Sequence, residues 1–195
     1  MGRAFRPAFT GNACVAVMRI FPTELKDVLI IELEKHGDDR GWFARAFCEE
    51  EFSKAGISFH VTQTNISFNR AQGTVRGLHY QAHPKWEPKI VRCNRGRIFD
   101  VVVDLRPESA SFCKWIGVEL SVDNGRALYL PRGMAHGFQT LTDNCELYYL
   151  MGEVYDPSLV RGVRWDDPAF AIKWPLKPTI ISDRDKSFPD FKAKT

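Results

Sequence analysis

Residues 94–130 read NRGRIFDVVVDLRPESASFCKWIGVELSVDNGRALYL. Three short runs in this stretch are rich in β-branched and aromatic residues, which favour strands; they lie at 98–103, 115–120 and 127–130. Turn residues separate the runs at 94–96, 106–108 and 123–125. Short strands that follow one another at spacings of about ten residues predict an all-β sandwich, barrel or jelly roll.

The same pattern continues on both sides of this stretch. Runs at 28–33, 90–93 and 146–150 indicate further strands, and 131–133 indicates a further turn. Only 49–55 has a helical pattern, with Gly56 where a C-terminal cap belongs. The predicted fold is therefore all-β with a few short helices.

Length and composition are those of an ordinary globular domain. The chain has 195 residues, of which 44% are hydrophobic and 12% aromatic, and this argues against disorder. The net charge of +3 is spread along the sequence without a basic block, so nucleic acid is not an expected partner. No apolar run approaches the length of a membrane span. We expect residues 1–17 to be a disordered N-terminal extension.

The cysteines indicate a reducing compartment. They are odd in number and widely spaced, without a CxxC pair: Cys14, Cys48, Cys93, Cys113 and Cys145. This pattern favours free thiols over a disulfide framework, and we expect a cytoplasmic protein.

Polar and titratable residues concentrate in four segments, at 37–43, 76–81, 131–138 and 182–185. The two middle segments contain RGLHYQ at 76–81 and PRGMAHGFQTL at 131–141. In this order they resemble the dTDP-4-dehydrorhamnose 3,5-epimerase family. Further matching segments extend the resemblance from Met18 to Asp185; they lie at 39–43, 63–67, 89–92, 99–104 and 165–168.

The resemblance implies a cupin-type jelly roll that forms one epimerase domain over 18–195. It also implies an isomerase, free of metal and other cofactors, that moves protons at C3, C5 or both carbons of a dTDP- or other NDP-linked 4-keto-6-deoxyhexose. Such enzymes serve deoxysugar biosynthesis of the dTDP-L-rhamnose type. The implied partners are the nucleotide-sugar substrate and a second copy of the chain, in a homodimer with exchanged N-terminal strands.

Four residues match catalytic positions of the family. His79 matches the base, because an imidazole can accept a proton near neutral pH and return it. Asp185 matches the carboxylate that orients this histidine; without the resemblance, we would interpret it as a solvated residue of the polar end at 183–195. Tyr149 matches the acid on the opposite face of the sugar, and Lys89 matches a cation at the carbonyl oxygen.

Seven residues match positions that bind substrate. His136 lies beside the carbonyl oxygen in the family, and the forked donors of Arg40 and Arg76 suit a pyrophosphate. The other matching residues are Phe43, Gln63, Asn65 and Tyr155.

The residues alone leave some of these assignments open. Tyr148 and Tyr149 are adjacent and face opposite sides of a strand, and only the resemblance selects Tyr149 as the inward one. Arg76 and His79 are three residues apart, so a regular strand cannot direct both into one cavity. If both are functional, we expect a bulge or bend near Gly77.

The sequence departs from the family pattern at several positions. The usual Gln-Gly-Lys loop is Glu87-Pro88-Lys89, and the usual Gln-Asp-Asn-His-Ser is found as QTNIS at 63–67. Arg45 replaces a common Glu, and Leu150 replaces a common Lys. These changes leave the proposed catalytic residues in place and alter the rim of the site.

Three other functions fit parts of the sequence. The closest is a single-centre 3- or 5-epimerase acting on a different NDP-4-keto sugar. A metal-dependent cupin enzyme fits 131–136, but His79-Tyr80-Gln81 lacks the His-x-His pair, and two histidines fall short of the usual three ligands even though Glu87 offers one. A metal analysis of the purified protein distinguishes a metal-dependent cupin enzyme from a metal-free epimerase. A non-catalytic binding module would have no use for an acid and a base on opposite faces.

Overall fold

Nearly all regular structure in the computed structural model, which describes residues 18–192, is β-strand. The expected extension at 1–17 lies outside the described residues. In chain order the elements are β1 (Arg19–Pro22), β2 (Leu29–Glu32), β3 (His36–Asp38), β4 (Gly41–Phe43), α1 (Glu49–Lys54), β5 (Gln63–Asn69), β6 (Val75–Gln81), β7 (Lys89–Arg95), β8 (Arg97–Asp104), β9 (Trp115–Ser121), β10 (Arg126–Leu130), β11 (Met134–Thr140), β12 (Cys145–Met151), β13 (Val160–Gly162) and α2 (Asp183–Lys186). Neither helix is long and apolar enough to cross a membrane.

The strands form two antiparallel sheets that pack face to face. One sheet has six strands in the order β1-β2-β10-β7-β12-β5, and the other has five in the order β13-β6-β11-β8-β9. The short hairpin β3–β4 is separate from both. Neighbouring strands of each sheet are often far apart in sequence, as in a jelly roll, and the predicted all-β fold class is confirmed.

Both faces of the central strands are buried, which explains their unbroken apolar runs. Val102 packs between the two sheets with Leu128 and Phe138. Its neighbours Val101 and Val103 point to the opposite face, where the C-terminal segment covers them. A strand covered on both sides needs apolar residues at every position rather than at alternate ones.

The helical prediction at 49–55 is confirmed by α1, and Gly56 follows it with φ of +78°. In contrast, α2 has only four residues and no apolar pattern, so the sequence does not reveal it. The Ser182 hydroxyl caps α2 by accepting a hydrogen bond from the Asp185 N–H at 3.1 Å. This turn withdraws Asp185 from water, and the interpretation of Asp185 as solvated, made from the residues alone, is wrong.

Candidate active site

A cavity of about 320 Å³ is lined by residues of both sheets. The five-stranded sheet contributes His79 from β6 and His136 from β11, whereas the six-stranded sheet contributes Lys89 from β7 and Tyr149 from β12. Residues on the two sheets therefore face a molecule in this cavity from opposite sides.

His79 forms a close pair with Asp185, although the two are 106 residues apart in sequence. The His79 Nε2 lies 2.7 Å from Asp185 Oδ1, and the other carboxylate oxygen accepts a hydrogen bond from the Gly77 N–H at 3.0 Å. Burial alone would raise the pKa of Asp185, but the hydrogen bonds with His79 and Gly77 outweigh it and lower this pKa. Asp185 is therefore an anion at neutral pH, held against the imidazole.

The strand that carries His79 is bulged beside Gly77. His79 pairs with His136 and Arg76 with Phe138, so β6 spans three residues where β11 spans two. This irregularity brings both Arg76 and His79 to the cavity, and the predicted bulge is confirmed. Gly77 has φ of +101°, and a Cβ there would lie 2.6 Å from the His136 carbonyl oxygen, so only glycine fits.

Tyr149 lines the cavity from the six-stranded sheet, and its ring lies edge-on to the His136 ring at a centroid distance of 6.2 Å. Burial raises the pKa of the Tyr149 phenol, and the Asp100 carboxylate raises it further. Arg76 and Ser67 act in the opposite direction but do not reverse the shift. The phenol therefore stays protonated at neutral pH and can donate a proton.

Lys89 begins β7, and its side chain is 9% exposed. Its Nζ lies 2.6 Å from Oε1 of Glu87, whose side chain is 8% exposed. Both residues line the cavity. The site thus contains a nearly buried ion pair.

His136 belongs to a second histidine–carboxylate pair. Its Nε2 lies 2.8 Å from Asp100 Oδ1, and both side chains are buried. The other oxygen, Asp100 Oδ2, is buried without a hydrogen-bond partner among the described residues. Asp100 therefore fixes the orientation of the His136 ring, which itself faces the cavity.

The expected substrate-binding residues are distributed unevenly. Asn65, Arg76 and Tyr155 line the cavity. Gln63 does not, but its side-chain oxygen accepts a hydrogen bond from the Tyr155 N–H at 3.0 Å and so supports the loop that carries Tyr155.

Arg40 and Phe43 lie away from this cavity, on the separate hairpin β3–β4. The Arg40 side chain is 87% exposed and pairs with Asp38, and Phe43 is 73% exposed. Within one chain, the structure does not bring these two residues to the other candidates.

Among residues 18–192, no three His, Cys, Asp or Glu side chains are grouped as ligands of a metal ion.

The arrangement can be compared with known proteins. The model of the dTDP-4-dehydrorhamnose 3,5-epimerase family matches residues 22–193, which is most of the chain. The chain belongs to this family. The expected family and enzyme class, an isomerase, are therefore confirmed.

Individual members of the dTDP-4-dehydrorhamnose 3,5-epimerase family are similar over nearly their whole length. A 3,5-epimerase from Shigella flexneri is 42% identical over 169 residues, which cover 86% of this chain and 93% of the relative. A dTDP-4-dehydrorhamnose 3-epimerase from Streptomyces niveus is 38% identical over 170 residues, covering 87% of this chain and 82% of the relative. The crystal structure of a 3,5-epimerase from Bacillus anthracis, with TDP and PPi bound, superposes with a TM-score of 0.87 at 38% identity, covering 90% of this chain and all of that one (100%).

The polar residues in and around the cavity to which sequence reasoning assigned no catalytic or binding role include Asp100, Arg184 and Ser67. Asp100 did leave a signal, because a carboxylate in the middle of an apolar strand is buried and needs a partner. Arg184 and Ser67 lie within segments that the sequence does single out, at 182–185 and 63–67, but an arginine in a polar segment and a serine in a strand are usually ordinary surface residues.

Proposed function

We propose that this chain epimerises C3 and C5 of a dTDP-4-keto-6-deoxyhexose in deoxysugar biosynthesis of the dTDP-L-rhamnose type. A single observation carries the proposal: a histidine–carboxylate pair and a protonated tyrosine face the same cavity from opposite sheets. Inversion at carbon requires this arrangement, because a proton leaves from one face of the ring and a new one arrives at the other.

His79 is the proposed base. A carboxylate only accepts hydrogen bonds, so the contact between Asp185 and Nε2 requires the hydrogen on that nitrogen. The other ring nitrogen, Nδ1, then has a free lone pair with which to take the proton beside the ketone. Asp185 stabilises the imidazolium that results, as an orienting carboxylate does in other histidine bases.

Tyr149 is the proposed acid. Once His79 has taken the proton, the electron pair of the broken C–H bond passes to the C4 oxygen as an enolate. Tyr149 then donates its phenolic proton to the carbon from the opposite wall, and the enolate electrons return to form the new C–H bond. The neighbouring Arg76 is close enough to lower the free energy of the resulting phenolate.

Lys89 is the proposed donor to the C4 oxygen, and an ammonium held in place at a cavity wall before the reaction can stabilise an enolate by several kcal/mol. His136 is proposed to lie beside the same oxygen. Because Asp100 accepts the hydrogen of its Nε2, His136 donates to the C4 oxygen from Nδ1 only as an imidazolium. Asn65, Arg76 and Tyr155 are proposed to bind the rest of the nucleotide sugar, with Arg76 suited to the pyrophosphate.

The deciding experiment is proton NMR of dTDP-4-keto-6-deoxyglucose incubated with the enzyme in D₂O. Deuterium entering both C3 and C5, together with the signals of the sugar inverted at both carbons, establishes the proposed double epimerisation. If neither carbon exchanges its proton, the proposed function is wrong for this substrate.

Exchange at one carbon alone would instead indicate a single-centre epimerase. The similarity to the 3-epimerase from Streptomyces niveus favours this second candidate over others. The same residues serve both reactions, and the two differ only in which carbon is presented to His79.

We also propose that the chain forms a homodimer. Apolar side chains are exposed on both edge strands of the six-stranded sheet, with Phe21 on β1 and Phe68 on β5, and on the hairpin that carries Trp42 and Phe43. Exposed apolar edges favour association with another chain. In a dimer with exchanged N-terminal strands, Arg40 and Phe43 can contact a nucleotide bound to the partner subunit.

Sedimentation equilibrium tests this proposal directly. A mass twice that of the 22.3 kDa chain supports the dimer, and a mass near that of one chain overturns it.

A cytoplasmic location is proposed on the basis of the thiols. Within the described part of the chain, Cys48, Cys93, Cys113 and Cys145 are all free. Free thiols are usual where glutathione and thioredoxin keep cysteines reduced.

A further inference from the structure

Glu87 forms an ion pair with Lys89, the proposed donor to the C4 oxygen, but takes no part in the proton transfers itself. The two residues are separated by Pro88, and residues two apart on an extended chain face the same side. Accordingly, Glu87 and Lys89 line the cavity, whereas Pro88 lies on the other side against Gly152. The Pro88 carbonyl oxygen accepts a hydrogen bond from the Gly152 N–H at 2.8 Å, which fixes the segment.

A nearly buried ion pair is costly unless its geometry is good. Withdrawing both charges from water costs several kcal/mol per ion, and a short contact in a low-dielectric site offsets this cost. The Nζ–Oε1 distance of 2.6 Å is such a contact. Among the described residues, Lys89 is also the one basic side chain paired with Glu87.

The pair restricts a side chain that is otherwise flexible. A lysine carries its ammonium group, with three hydrogens, on a flexible four-carbon chain. The side chain loses much rotamer entropy when it is held in one place. An ammonium has three hydrogens, so an N–H that meets Glu87 leaves two for acceptors in the cavity that both residues line.

We propose that Glu87 is a positioning residue that fixes the Lys89 ammonium at the cavity wall, so that its remaining N–H groups face the C4 oxygen of the substrate. This inference rests on the proposed epimerase activity. The carboxylate acts only through Lys89 and does not itself touch the reacting atoms.

Three variants of Glu87 distinguish the effect of its hydrogen-bond acceptor, of its negative charge and of the position of the carboxylate. Glu87→Gln keeps an oxygen acceptor in place, Glu87→Asp keeps the charge but withdraws it by one methylene, and Glu87→Met keeps only the volume. Glu108→Gln, at an exposed turn residue, is the matched control. The measurements are kcat and KM for exchange of the sugar protons in D₂O, and the dissociation constant of dTDP by titration calorimetry.

We expect Glu87→Met to lower kcat by roughly tenfold to a hundredfold, because a displacement of about 1 Å at a reacting group has an effect of this size. KM and the dTDP dissociation constant should stay within about threefold of wild type, since positioning affects the chemical step. Glu87→Gln should recover most of kcat, and Glu87→Asp should fall between the two. If Glu87→Met fails to fold, the ratio of Gln to Asp decides the question.

Three results would overturn the proposal. One is a Glu87→Met variant with wild-type kcat. Another is a loss that appears in KM and in dTDP affinity, which would mean that Glu87 binds the substrate directly. The third is a Gln variant no faster than the Asp variant. A wild-type enzyme that exchanges neither proton would instead refute the proposed function, so the two failures are distinguishable.

Discussion

The nitrogen of His79 that carries a hydrogen decides whether this residue can act as a base. Replacing Asp185 with Asn lets the amide N–H₂ donate to Nε2 and so favours the opposite tautomer, with the hydrogen on Nδ1. We expect Asp185→Asn to lower the rate of proton exchange by about 10²- to 10⁴-fold. Asp183→Asn, two residues earlier with a fully exposed side chain, is the control and should exchange at the wild-type rate. Equal rates in the two variants would contradict the assigned base.

Adjacent tyrosines on opposite faces of β12, Tyr148 and Tyr149, provide a test variant and a matched control for the proposed acid. Tyr149→Phe removes the phenolic proton donor, so we expect abstraction by His79 to continue at a reduced rate while inversion is impaired. Tyr148→Phe removes the same atom on the opposite face of the strand and should leave turnover unchanged. NMR distinguishes deuterium incorporation with retention from formation of the inverted sugar. Wild-type turnover by Tyr149→Phe would assign the acid role to another residue.

At the scale of the residue, the sequence indicates which single residues are candidates for the site, but it does not indicate which of them contact each other. His79 stands out because it lies beside glycine and arginine in a polar segment, and the family resemblance adds Asp185. Neither pattern nor spacing predicts that the two meet, because the fold joins positions 106 residues apart. Asp100 and Glu87 show the same limit, since each acquires its meaning from a neighbour, His136 or Lys89.

The bulge in β6 is the element on which the site geometry depends. Gly77→Ala places a Cβ 2.6 Å from one backbone atom and 2.8 Å from another, at a positive φ that alanine rarely adopts. We expect a loss of about 2 kcal/mol or more in the free energy of unfolding, and a loss of exchange activity because the Gly77 N–H holds Asp185. Gly56→Ala has a similar φ of +78° but nothing within 4 Å, so it should cost only about 1 kcal/mol. Urea unfolding measures both, and equal losses would show that the close contact at Gly77 is unimportant.

Strands that are stabilised by their own apolar residues can be predicted from the sequence, whereas strands that are stabilised mainly by pairing with their neighbours cannot. The strands predicted at 98–103 and 115–120 form because β-branched residues pack on both faces or one face of a sheet. In contrast, β5 and β11 contain polar residues and a glycine that weaken the local pattern. These strands form because neighbouring strands pair with them along their whole length. Turn signals were sufficient to separate most of the strands but not to order them in a sheet.

At the scale of the whole molecule, the candidate cavity exists because two sheets meet. Within each wall the strands are not adjacent in sequence, with β6 beside β11 on one side and β7 beside β12 on the other. Local patterns cannot specify this order, because any antiparallel arrangement satisfies the same alternation of residues. The family resemblance was therefore necessary to move from an all-β class to a specific jelly roll with a site between its sheets.

Outside the cavity, a buried carboxylate ties distant loops together. Asp104 at the end of β8 accepts hydrogen bonds from Arg106, Ser109 and Ser111. Arg106 in turn binds Asp27 in the loop before β2, at 2.9 Å. Burial raises the pKa of Asp104, but these hydrogen bonds outweigh it and set this pKa at about 2.

The lowered pKa makes the stability of the fold depend on pH in a defined direction. A carboxyl with a folded-state pKa of about 2 and an ordinary value of 3.8 stabilises the protein fully above about pH 4. That contribution, about 2 kcal/mol, is lost as the pH falls towards 2. Asp104→Asn removes it, so the free energy of unfolding should fall less steeply below pH 4 in this variant than in the wild type. Urea titrations from pH 7 to pH 3 measure the difference, with the exposed Asp123→Asn as the control. If Asp104→Asn and Asp123→Asn lose stability with the same slope, the network around Asp104 does not hold the carboxylate in its charged form.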